Sequence, residues 1–489
     1  MTRFQPSWES LKKYQCPEWF RDAKFGIWAH WGPQAVPMVG DWYAREMYIQ
    51  GHPSYEHHVK HYGHPSEFGY KDILPLWKAE KFEPAELIRF YQEAGARYFT
   101  TCAVHHDNFD CWNSVHHKWN SVNIGPQKDI VGMWEKEVRK IGMRFGVTEH
   151  HERSYSWFNT NKGSDSDGEL KGVPYDGANP EYQDYYYEHH PDTSHEYPQN
   201  PSEAFIRNWY DRITDVIDQY QPDLLYTDGG VPFGEYGRKL LAHYYNKSLE
   251  WNNGDLSAVY NYKDGTMYPS TNERDYHLEN LYGDYVDGVG VLDMERGVVD
   301  DIHPEPWQTD TCIGKWYYQK NVTYKTPTEV IRMLVDIVSK NGNLLLNVPL
   351  KPDGTLDDQE IQVVEGIGAW LKVNGEAIYE TRPWTSFGEG PTRAQSGHMQ
   401  EKKALTYTPE DFRFTRKDDV VYAIGMCRPR EGDAITIHSL DSASGYQVQS
   451  LELLGSSKPV PWQQGYEGLR FTLPSSLPVP PCYSLKIQL

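Results

Sequence analysis

Cysteine is scarce in this chain, and the few thiols are scattered. Six cysteines are spread over 489 residues, and no two of them form a C-x-x-C pair. The spacing expected of a structural zinc site or of a dithiol redox motif is therefore missing. Such sparse cysteine suits a reducing compartment and does not exclude the periplasm.

Long apolar runs are also missing. The sequence has no stretch of about 18 consecutive apolar residues, which is the length that a membrane-spanning helix needs, so we expect no membrane partner. Met1–Glu18 lacks the apolar centre of a signal peptide. We expect a bacterial periplasmic or secreted location if a signal peptide has been removed, and a cytoplasmic location otherwise.

Positive charge is in short supply, whereas aromatic residues are abundant. The chain has 48 Lys and Arg against 69 Asp and Glu, a formal net charge of −21. Such a surface repels phosphate backbones and anionic lipids, so nucleic acid is not an expected partner. The 17 Trp and 36 Tyr indicate a large core, and their flat faces also suit stacking on sugar rings.

Eight strand-like runs alternate with helix-like segments through the first part of the chain. The predicted strands are Phe25–Trp31, Tyr98–His106, Arg144–His150, Leu224–Tyr226, Ala258–Tyr262, Val289–Met294, Trp307–Ile313 and Asn343–Val348. Between them, apolar residues recur every 3.6 positions, most clearly over Glu203–Tyr220. The pattern predicts an α/β fold, a (β/α)8 TIM-like barrel. A doubly wound open sheet is the alternative, but no glycine-rich phosphate loop supports it.

The pattern changes after Trp384, where short strand-like runs are separated by Gly, Pro and Ser. These runs predict a C-terminal antiparallel β-sandwich domain over residues 386–489, after a catalytic barrel domain over residues 1–385. One segment, Glu152–Pro201, is too long for an ordinary barrel loop. Because it follows the third strand, we expect it to form a rim around the site, with a disordered insert as the alternative.

Chemically active side chains follow several of the predicted strands. They are His30, His105, His106, Glu149, His150, Asp228 and Glu295. Because the carboxyl ends of barrel strands surround one pocket, we expect these side chains to converge. Asp228 stands between a buried apolar run and two glycines that allow a sharp turn, which indicates an exposed carboxylate. The alternative is an Asp that only caps this turn.

Two chemistries fit such a constellation. In the first, Asp228 and Glu295 are the two carboxylates that glycoside cleavage requires, and the histidines hold sugar hydroxyls. In the second, the histidines bind zinc and Asp228 activates a water, as in a zinc-dependent barrel hydrolase. A non-catalytic sugar-binding protein is a third possibility, although such a protein has no use for a proton donor in its pocket.

Several longer stretches carry a family resemblance. They are P-E-W-F-R-D-A-K-F-G-I-W-A-H-W-G (Pro17–Gly32), G-D-W-Y-A-R (Gly40–Arg45), A-V-H-H-D-N-F-D-C-W-N-S (Ala103–Ser114), P-D-L-L-Y-T-D-G (Pro222–Gly229), V-S-K-N-G-N-L-L-L-N-V (Val338–Val348) and W-L-K-V-N-G-E-A-I-Y-E-T (Trp370–Thr381). In these stretches the chain resembles the α-L-fucosidases of glycoside hydrolase family 29. They extend over nearly the whole predicted barrel.

The resemblance implies a retaining exo-glycosidase that acts on terminal α-L-fucosyl residues of glycans without a cofactor or a metal. It implies that Asp228 is the nucleophile. For the acid/base we choose Glu295, with Glu279 and Glu273 in reserve. The expected substrate-binding residues are His30, Asp41, Trp42, His105, His106, Glu149, His150, Tyr226 and Trp316.

Three positions depart from the family pattern. Asp41 stands where many members have Glu, Tyr226 where they often have Trp, and the T-E-H-H run ending at His151 where many have tyrosines. These departures leave the sugar itself open. A related L-sugar, as in an α-L-galactoside or an α-L-glucoside, is the alternative to fucose, and the oligomeric state is also left open.

Overall fold

The computed structural model describes residues 3–194, 197–267, 283–401, 405–475 and 479–489. Eight parallel strands close into a barrel in chain order. They are β1 (Phe25–Ala29), β2 (Tyr98–Val104), β3 (Arg144–Glu149), β4 (Leu224–Thr227), β5 (Val259–Lys263), β6 (Val291–Asp293), β7 (Trp307–Cys312) and β8 (Gly342–Asn347). β8 pairs with β1 and completes the ring, so the predicted (β/α)8 barrel is confirmed.

Helices surround these strands and fill the connections between them. In chain order they are α1 (Trp8–Leu11), α2 (Glu18–Ala23), α3 (Tyr43–Glu46), α4 (Pro53–His61), α5 (Tyr70–Ile73), α6 (Pro84–Glu93), α7 (Ile130–Lys140), α8 (Ser154–Trp157), α9 (Gln183–Tyr186), α10 (Glu203–Tyr220), α11 (Glu235–Trp251), α12 (Pro327–Ser339) and α13 (Asp358–Asn374). Among the helices of the described residues, none has both the length and the apolar character that a bilayer crossing requires.

Local sequence signals set the ends of the long helices. At the start of α12, the Thr326 side chain accepts a hydrogen bond from the Glu329 backbone N–H, and the Glu329 carboxylate accepts one from the Thr326 backbone N–H. This reciprocal cap satisfies two backbone donors that the first turn leaves unpaired. α10 begins after Ser202, which caps it through the Phe205 backbone N–H. Both helices were predicted, and both are confirmed.

The barrel strands are shorter than predicted where histidines follow them. β1 ends at Ala29, β2 at Val104 and β3 at Glu149. The pairing of β2 with β3 shifts register between Cys102 and Val104, which ends the regular ladder there. The histidines therefore lie in the first residues of the loops, at the carboxyl end of the barrel, instead of within the strands.

The C-terminal part consists of two antiparallel sheets, and the predicted β-sandwich is confirmed. One sheet has the order β13-β16-β11-β10-β9 and the other β12-β15-β14. Their strands are β9 (Arg382–Glu389), β10 (Phe412–Lys417), β11 (Val420–Gly425), β12 (Ala434–Ile437), β13 (Ser450–Leu453), β14 (Trp462–Gly465), β15 (Gly468–Thr472) and β16 (Tyr483–Gln488). A second apolar core, which includes Trp384, Phe414 and Phe471, lies between them.

Three strands of this domain were not predicted, namely β9, β10 and β14. β14 reads W-Q-Q-G, and its side chains are half-buried or exposed, so it lacks the apolar alternation that identifies a strand in sequence. β10 ends in two exposed basic residues, which hides the pattern in the same way. α13 ends at Asn374 and β9 begins at Arg382, so the first strand of the second domain spans the predicted boundary at residue 385, which stays a prediction.

A buried ionic cluster joins the barrel to the C-terminal sheets. Asp336 of α12 is 2% exposed; its Oδ1 lies 2.5 Å from Arg413 Nε of β10, and its Oδ2 lies 2.9 Å from Lys340 Nζ. Burial alone would raise the pKa of Asp336, but the two cations hold this pKa below its ordinary value. Because each charge is compensated inside the protein, the cluster fixes how the helix meets the sheet.

Candidate active site

A cavity opens at the carboxyl end of the barrel strands. Ten of the predicted site residues line it, namely His30, Asp41, Trp42, His105, His106, His150, Tyr226, Asp228, Glu295 and Trp316. Four further residues complete the lining and were not predicted: Trp28, Arg153, Lys263 and Asp310. The convergence expected from the strand ends is therefore found, although the residues come from distant parts of the chain.

Asp228, which follows β4, is held by positive charge on both sides. Its Oδ1 lies 2.9 Å from Lys263 Nζ, and its Oδ2 lies 3.1 Å from Arg153 Nη2. His150 Nδ1 and His106 Nε2 lie 3.5 and 3.6 Å from Oδ2. Burial alone would raise the pKa of Asp228, but Lys263 and Arg153 hold this pKa well below its ordinary value. The carboxylate is therefore ionised at neutral pH.

Lys263 connects the two predicted catalytic carboxylates. It is the last residue of β5, is 3% exposed, and its Nζ also lies 2.8 Å from Glu295 Oε2. The oxygens of Asp228 and Glu295 that contact Nζ are thus no farther apart than the sum of the two contact distances. The two carboxyl groups therefore lie on either side of one ammonium group.

Glu295, the predicted acid/base, is held in place through its backbone. Glu295 follows β6, and its backbone N–H donates to His398 Nδ1 at 2.9 Å. This bond ties the loop after β6 to the segment between β9 and β10. The two reserve candidates, Glu279 and Glu273, lie outside the described residues.

His30 and His105 are neutral, and each is oriented by a side-chain amide behind it. His30 Nδ1 donates to Asn347 Oδ1 at 2.9 Å, and Gln34 Nε2 donates to His105 Nδ1 at 2.8 Å. Burial lowers the pKa of both imidazoles well below the usual range. His30 therefore offers Nε2 as an acceptor and His105 offers Nε2–H as a donor, a combination that suits neighbouring sugar hydroxyls.

Aromatic rings also line the cavity, beside the histidines. Trp28 and Trp316 have ring centroids 5.6 Å apart, and Trp28 lies 4.0 Å from the His30 ring. Trp42, at the half-exposed edge, packs edge-on against Trp157 at 4.8 Å. Such flat faces can stack on the apolar face of a pyranose ring.

Glu149 lies outside this lining, although we expected it to contact the substrate. Its Oε1 accepts from Trp209 Nε1 at 3.2 Å and its Oε2 from the His151 backbone N–H at 3.0 Å. Successive residues of a strand point to opposite sides, so the same geometry that turns His150 into the cavity turns Glu149 into the wall. The expectation for Glu149 is corrected accordingly.

Lys263 and Arg153 were not predicted, although the sequence carried signals for both. Lys263 stands at the end of β5, in the position that identified the other residues, but the predicted strand stopped one residue too early at Tyr262. Arg153 belongs to a short 3-10 turn, His151–Arg153, directly after β3. The excess of negative charge among the predicted site residues was a signal that cations had to lie nearby.

Two groups of side chains in the cavity have metal-ligand character. The ligand atoms of His30, His105 and His150 lie within 4.8 Å of one another, as do those of His106, His150 and Asp228. In the second group, however, Asp228 already contacts the Lys263 ammonium and the Arg153 guanidinium. A metal ion there would face two fixed positive charges, so the donor set does not favour zinc chemistry at Asp228.

Comparison with known proteins gives two matches that together span most of the chain. A family model described as alpha-L-fucosidase matches residues 1–376, and one described as alpha-L-fucosidase C-terminal domain matches residues 406–488. The chain belongs to the α-L-fucosidase family. Family membership confirms both the predicted glycoside hydrolase family and its two-part architecture.

Individual members of the family align over nearly their full length. The plasma alpha-L-fucosidase of Homo sapiens is 29% identical over 485 residues, covering 94% of this chain and 86% of the relative. The tissue alpha-L-fucosidase of Rattus norvegicus is 27% identical over 500 residues, with 99% and 92% covered. The structure of Thermotoga maritima alpha-fucosidase in complex with a mechanism-based inhibitor superimposes with a TM-score of 0.75 at 27% identity, covering 100% of both chains.

Proposed function

We propose that this protein hydrolyses terminal α-L-fucosyl residues of glycans with retention of configuration. The observation that carries the proposal is the shared contact of Asp228 and Glu295 with Lys263 Nζ, at 2.9 and 2.8 Å. This contact brings an ionised carboxylate and a second carboxyl group close together, which agrees with the short separation of roughly 5–5.5 Å that double displacement uses.

In the first step, Asp228 attacks the anomeric carbon while Glu295 gives its proton to the departing glycosidic oxygen. The carboxylate of Asp228 becomes a neutral ester, and Glu295 becomes a carboxylate. In the second step, Glu295 removes a proton from water, the water attacks the same carbon, and Asp228 is released. Two inversions at that carbon give net retention.

The position of Lys263 suits this exchange of charge. During the first step the negative charge leaves one partner of Nζ and appears on the other. Because both partners lie within 3 Å of the same buried ammonium, the charge stays paired throughout. Groups that are already oriented toward developing charge stabilise a transition state without reorganisation.

A related L-sugar is the second candidate, and the character of the cavity favours testing it. The described lining consists of aromatic and polar side chains and includes no aliphatic one. L-Galactose differs from L-fucose by a hydroxyl at C6, and polar side chains of the lining can pair with such a hydroxyl. Rates on aryl α-L-fucoside, α-L-galactoside and α-L-glucoside decide between these substrates.

The nucleophile is tested by trapping. We expect a 2-deoxy-2-fluoro-L-fucosyl fluoride to label the wild-type protein once, with the added mass on the peptide that contains Asp228. Asp228→Ala should take no label and lose turnover, whereas Asp300→Ala, at an exposed position of the loop after β6, should behave as wild type. Label on another carboxylate, or near-normal turnover by Asp228→Ala, refutes the assignment.

Stereochemistry and metal dependence are separate tests of the mechanism. Proton NMR of the first sugar released should show the α-anomer, and the β-anomer would indicate inversion. Activity that survives prolonged dialysis against a chelator agrees with the proposal, and loss that zinc restores would favour the metal-dependent alternative.

A further inference from the structure

Two buried carboxyl groups lie behind Lys263 and have no step in the proposed reaction. Asp293 ends β6 and is 0% exposed, and Asp310 on β7 is 1% exposed. Gln308 Nε2 donates to Asp293 Oδ2 at 2.6 Å, and the Tyr226 hydroxyl lies 3.3 Å from Asp310 Oδ2. The remaining oxygen of each carboxyl, Oδ1, receives no hydrogen bond from an N–H or hydroxyl donor of the described residues.

The two carboxyls lie on the same side of the barrel wall as Lys263. β6 and β7 are neighbouring strands, with Asp293 opposite Gln308 and Asp310 two residues farther along the same face. Two carboxylates are both acceptors, so a hydrogen bond between them requires a proton on one. A single shared proton also explains how two buried acids, neither of which receives a hydrogen bond on Oδ1, lie on neighbouring strands, since like charges close together cannot both ionise cheaply.

We propose that Asp293 and Asp310 share one proton and act as a single negative charge that positions Lys263 between Asp228 and Glu295. Asp310 is thus a positioning residue that acts through Lys263, whose Nζ lies 3.9 Å from Asp310 Oδ2. The proposal concerns the site described above and rests on the proposed function for its kinetic consequence.

The charge of the pair follows from its surroundings. The titratable groups that face it are Tyr98 from β2, Tyr226 from β4, Asp228 after β4, Lys263 from β5 and Glu295 after β6. With two negative charges, the pair would draw the ammonium away from the catalytic carboxylates. With none, Lys263 would lose its anchor on the barrel side. Burial raises the pKa of Asp293 to about 6, and burial followed by the Asp293 charge raises the pKa of Asp310 well above its usual range.

The first experiment counts the proton and needs no activity. Asp310→Asn keeps a donor toward Asp293 and removes the shared proton. In the wild type, one carboxyl of the pair has a higher pKa in the folded than in the unfolded chain. Its protonation stabilises the folded state at low pH, and this stabilisation is lost as the pH rises above about 4. We therefore expect the folding equilibrium constant of Asp310→Asn, divided by that of the wild type, to rise tenfold or more between about pH 4 and pH 7. Other buried acids are common to both proteins and cancel. A ratio that does not change with pH overturns the shared proton.

The second experiment tests the positioning. Asp310→Asn leaves one negative charge on the pair, and the double variant Asp293→Asn/Asp310→Asn leaves none, while both keep the shape and a hydrogen bond. We expect kcat/KM of the double variant on an aryl α-L-fucoside to be at least about tenfold below that of Asp310→Asn, mainly through kcat. The alkaline limb of the pH profile, which reports the general acid, should move as well. Asp300→Asn is the matched surface control.

The outcomes distinguish a failure of the proposed function from a failure of the positioning role. If the wild type releases none of the three L-sugars, the proposed function fails, whatever the stability ratio shows. If the wild type is active and the double variant equals Asp310→Asn in both kcat/KM and pH profile, the positioning role fails. Thermal unfolding and circular dichroism of each variant show whether it is folded. If Asp310→Asn is unfolded, Asp293→Asn, which also leaves one charge on the pair, replaces it in both comparisons.

Discussion

Replacing Lys263 with Met removes the cation that two carboxylates share and keeps most of the side-chain volume. Nζ is 3% exposed and lies 2.9 Å from Asp228 and 2.8 Å from Glu295. At an effective dielectric constant of ~20, one such contact amounts to about 6 kcal/mol of Coulomb attraction before desolvation is subtracted. Removing one partner of a buried pair typically has a net cost of about 3–5 kcal/mol.

The kinetic consequence follows from the same contacts. Without Lys263, Asp228 keeps Arg153 as its remaining cation, and Glu295 loses the partner that stabilises its carboxylate form. We expect kcat/KM to fall by roughly 10²–10⁴. Because Lys263 lowers the pKa of Asp228, its removal raises this pKa, and the acid limb of the kcat/KM profile should move to higher pH.

The assay is a kcat and KM series on an aryl α-L-fucoside between pH 4 and pH 9, accompanied by thermal unfolding. Lys81→Met is the matched control, since Lys81 also contacts a carboxylate, Asp353, at 2.9 Å, but is exposed and does not line the cavity. We expect the control to leave both rate and pH profile unchanged. A folded Lys263→Met protein with wild-type kcat/KM and an unshifted acid limb would refute the reasoning.

Four further predictions test the site and the fold. Glu295→Ala should slow substrates with poor leaving groups far more than activated aryl glycosides, as rates across a leaving-group series will show; equal slowing would argue against its role as the acid. Trp316→Ala should raise KM more than it lowers kcat in the same assay, because a stacking platform binds the ground state and the transition state alike. Thr326→Ala should lower the free energy of unfolding by about 1 kcal/mol in a denaturant titration, because the α12 cap is lost. Asp336→Ala should lower the free energy of unfolding by roughly 3–5 kcal/mol at pH 7, because it leaves two buried cations without their carboxylate. This difference from the wild type should shrink as the pH falls below about 4, where Asp336 of the wild type becomes protonated.

The barrel could be predicted because its strands and helices carry strong local signals. The apolar face of Glu203–Tyr220 predicts α10 at its observed bounds, and the cap at Thr326 marks the observed start of α12. The antiparallel strands β9 and β14 could not be found in the same way. β9 pairs with β10 across a long loop, and the half-exposed β14 is held by its hairpin with β15. The local pattern of polar and apolar residues therefore does not identify either strand.

The location of the site could be predicted from the sequence, but many contacts between its side chains could not. The rule that strand ends converge brought Asp228, Glu295 and the histidines together before any coordinates. It did not say which of two successive residues faces inward, which is why Glu149 was included. It also did not show that Lys263 and Arg153 neutralise the acids, since the predicted fifth strand ended before Lys263 and the contacts between neighbouring strand ends depend on their positions in the folded barrel.

Burial acts in opposite directions on the two kinds of titratable group in this cavity, and the cations decide where each proton resides. The same loss of water that keeps the imidazoles of His30 and His105 neutral would, alone, keep Asp228 protonated and inert. Lys263 and Arg153 reverse the effect at Asp228, because they contact that carboxylate directly. A cavity can thus present an ionised nucleophile among neutral hydrogen-bonding groups over the whole range from weakly acidic to neutral pH, and the acid limit of activity should follow the pairing of Asp228 with its two cations and not the titration of the histidines.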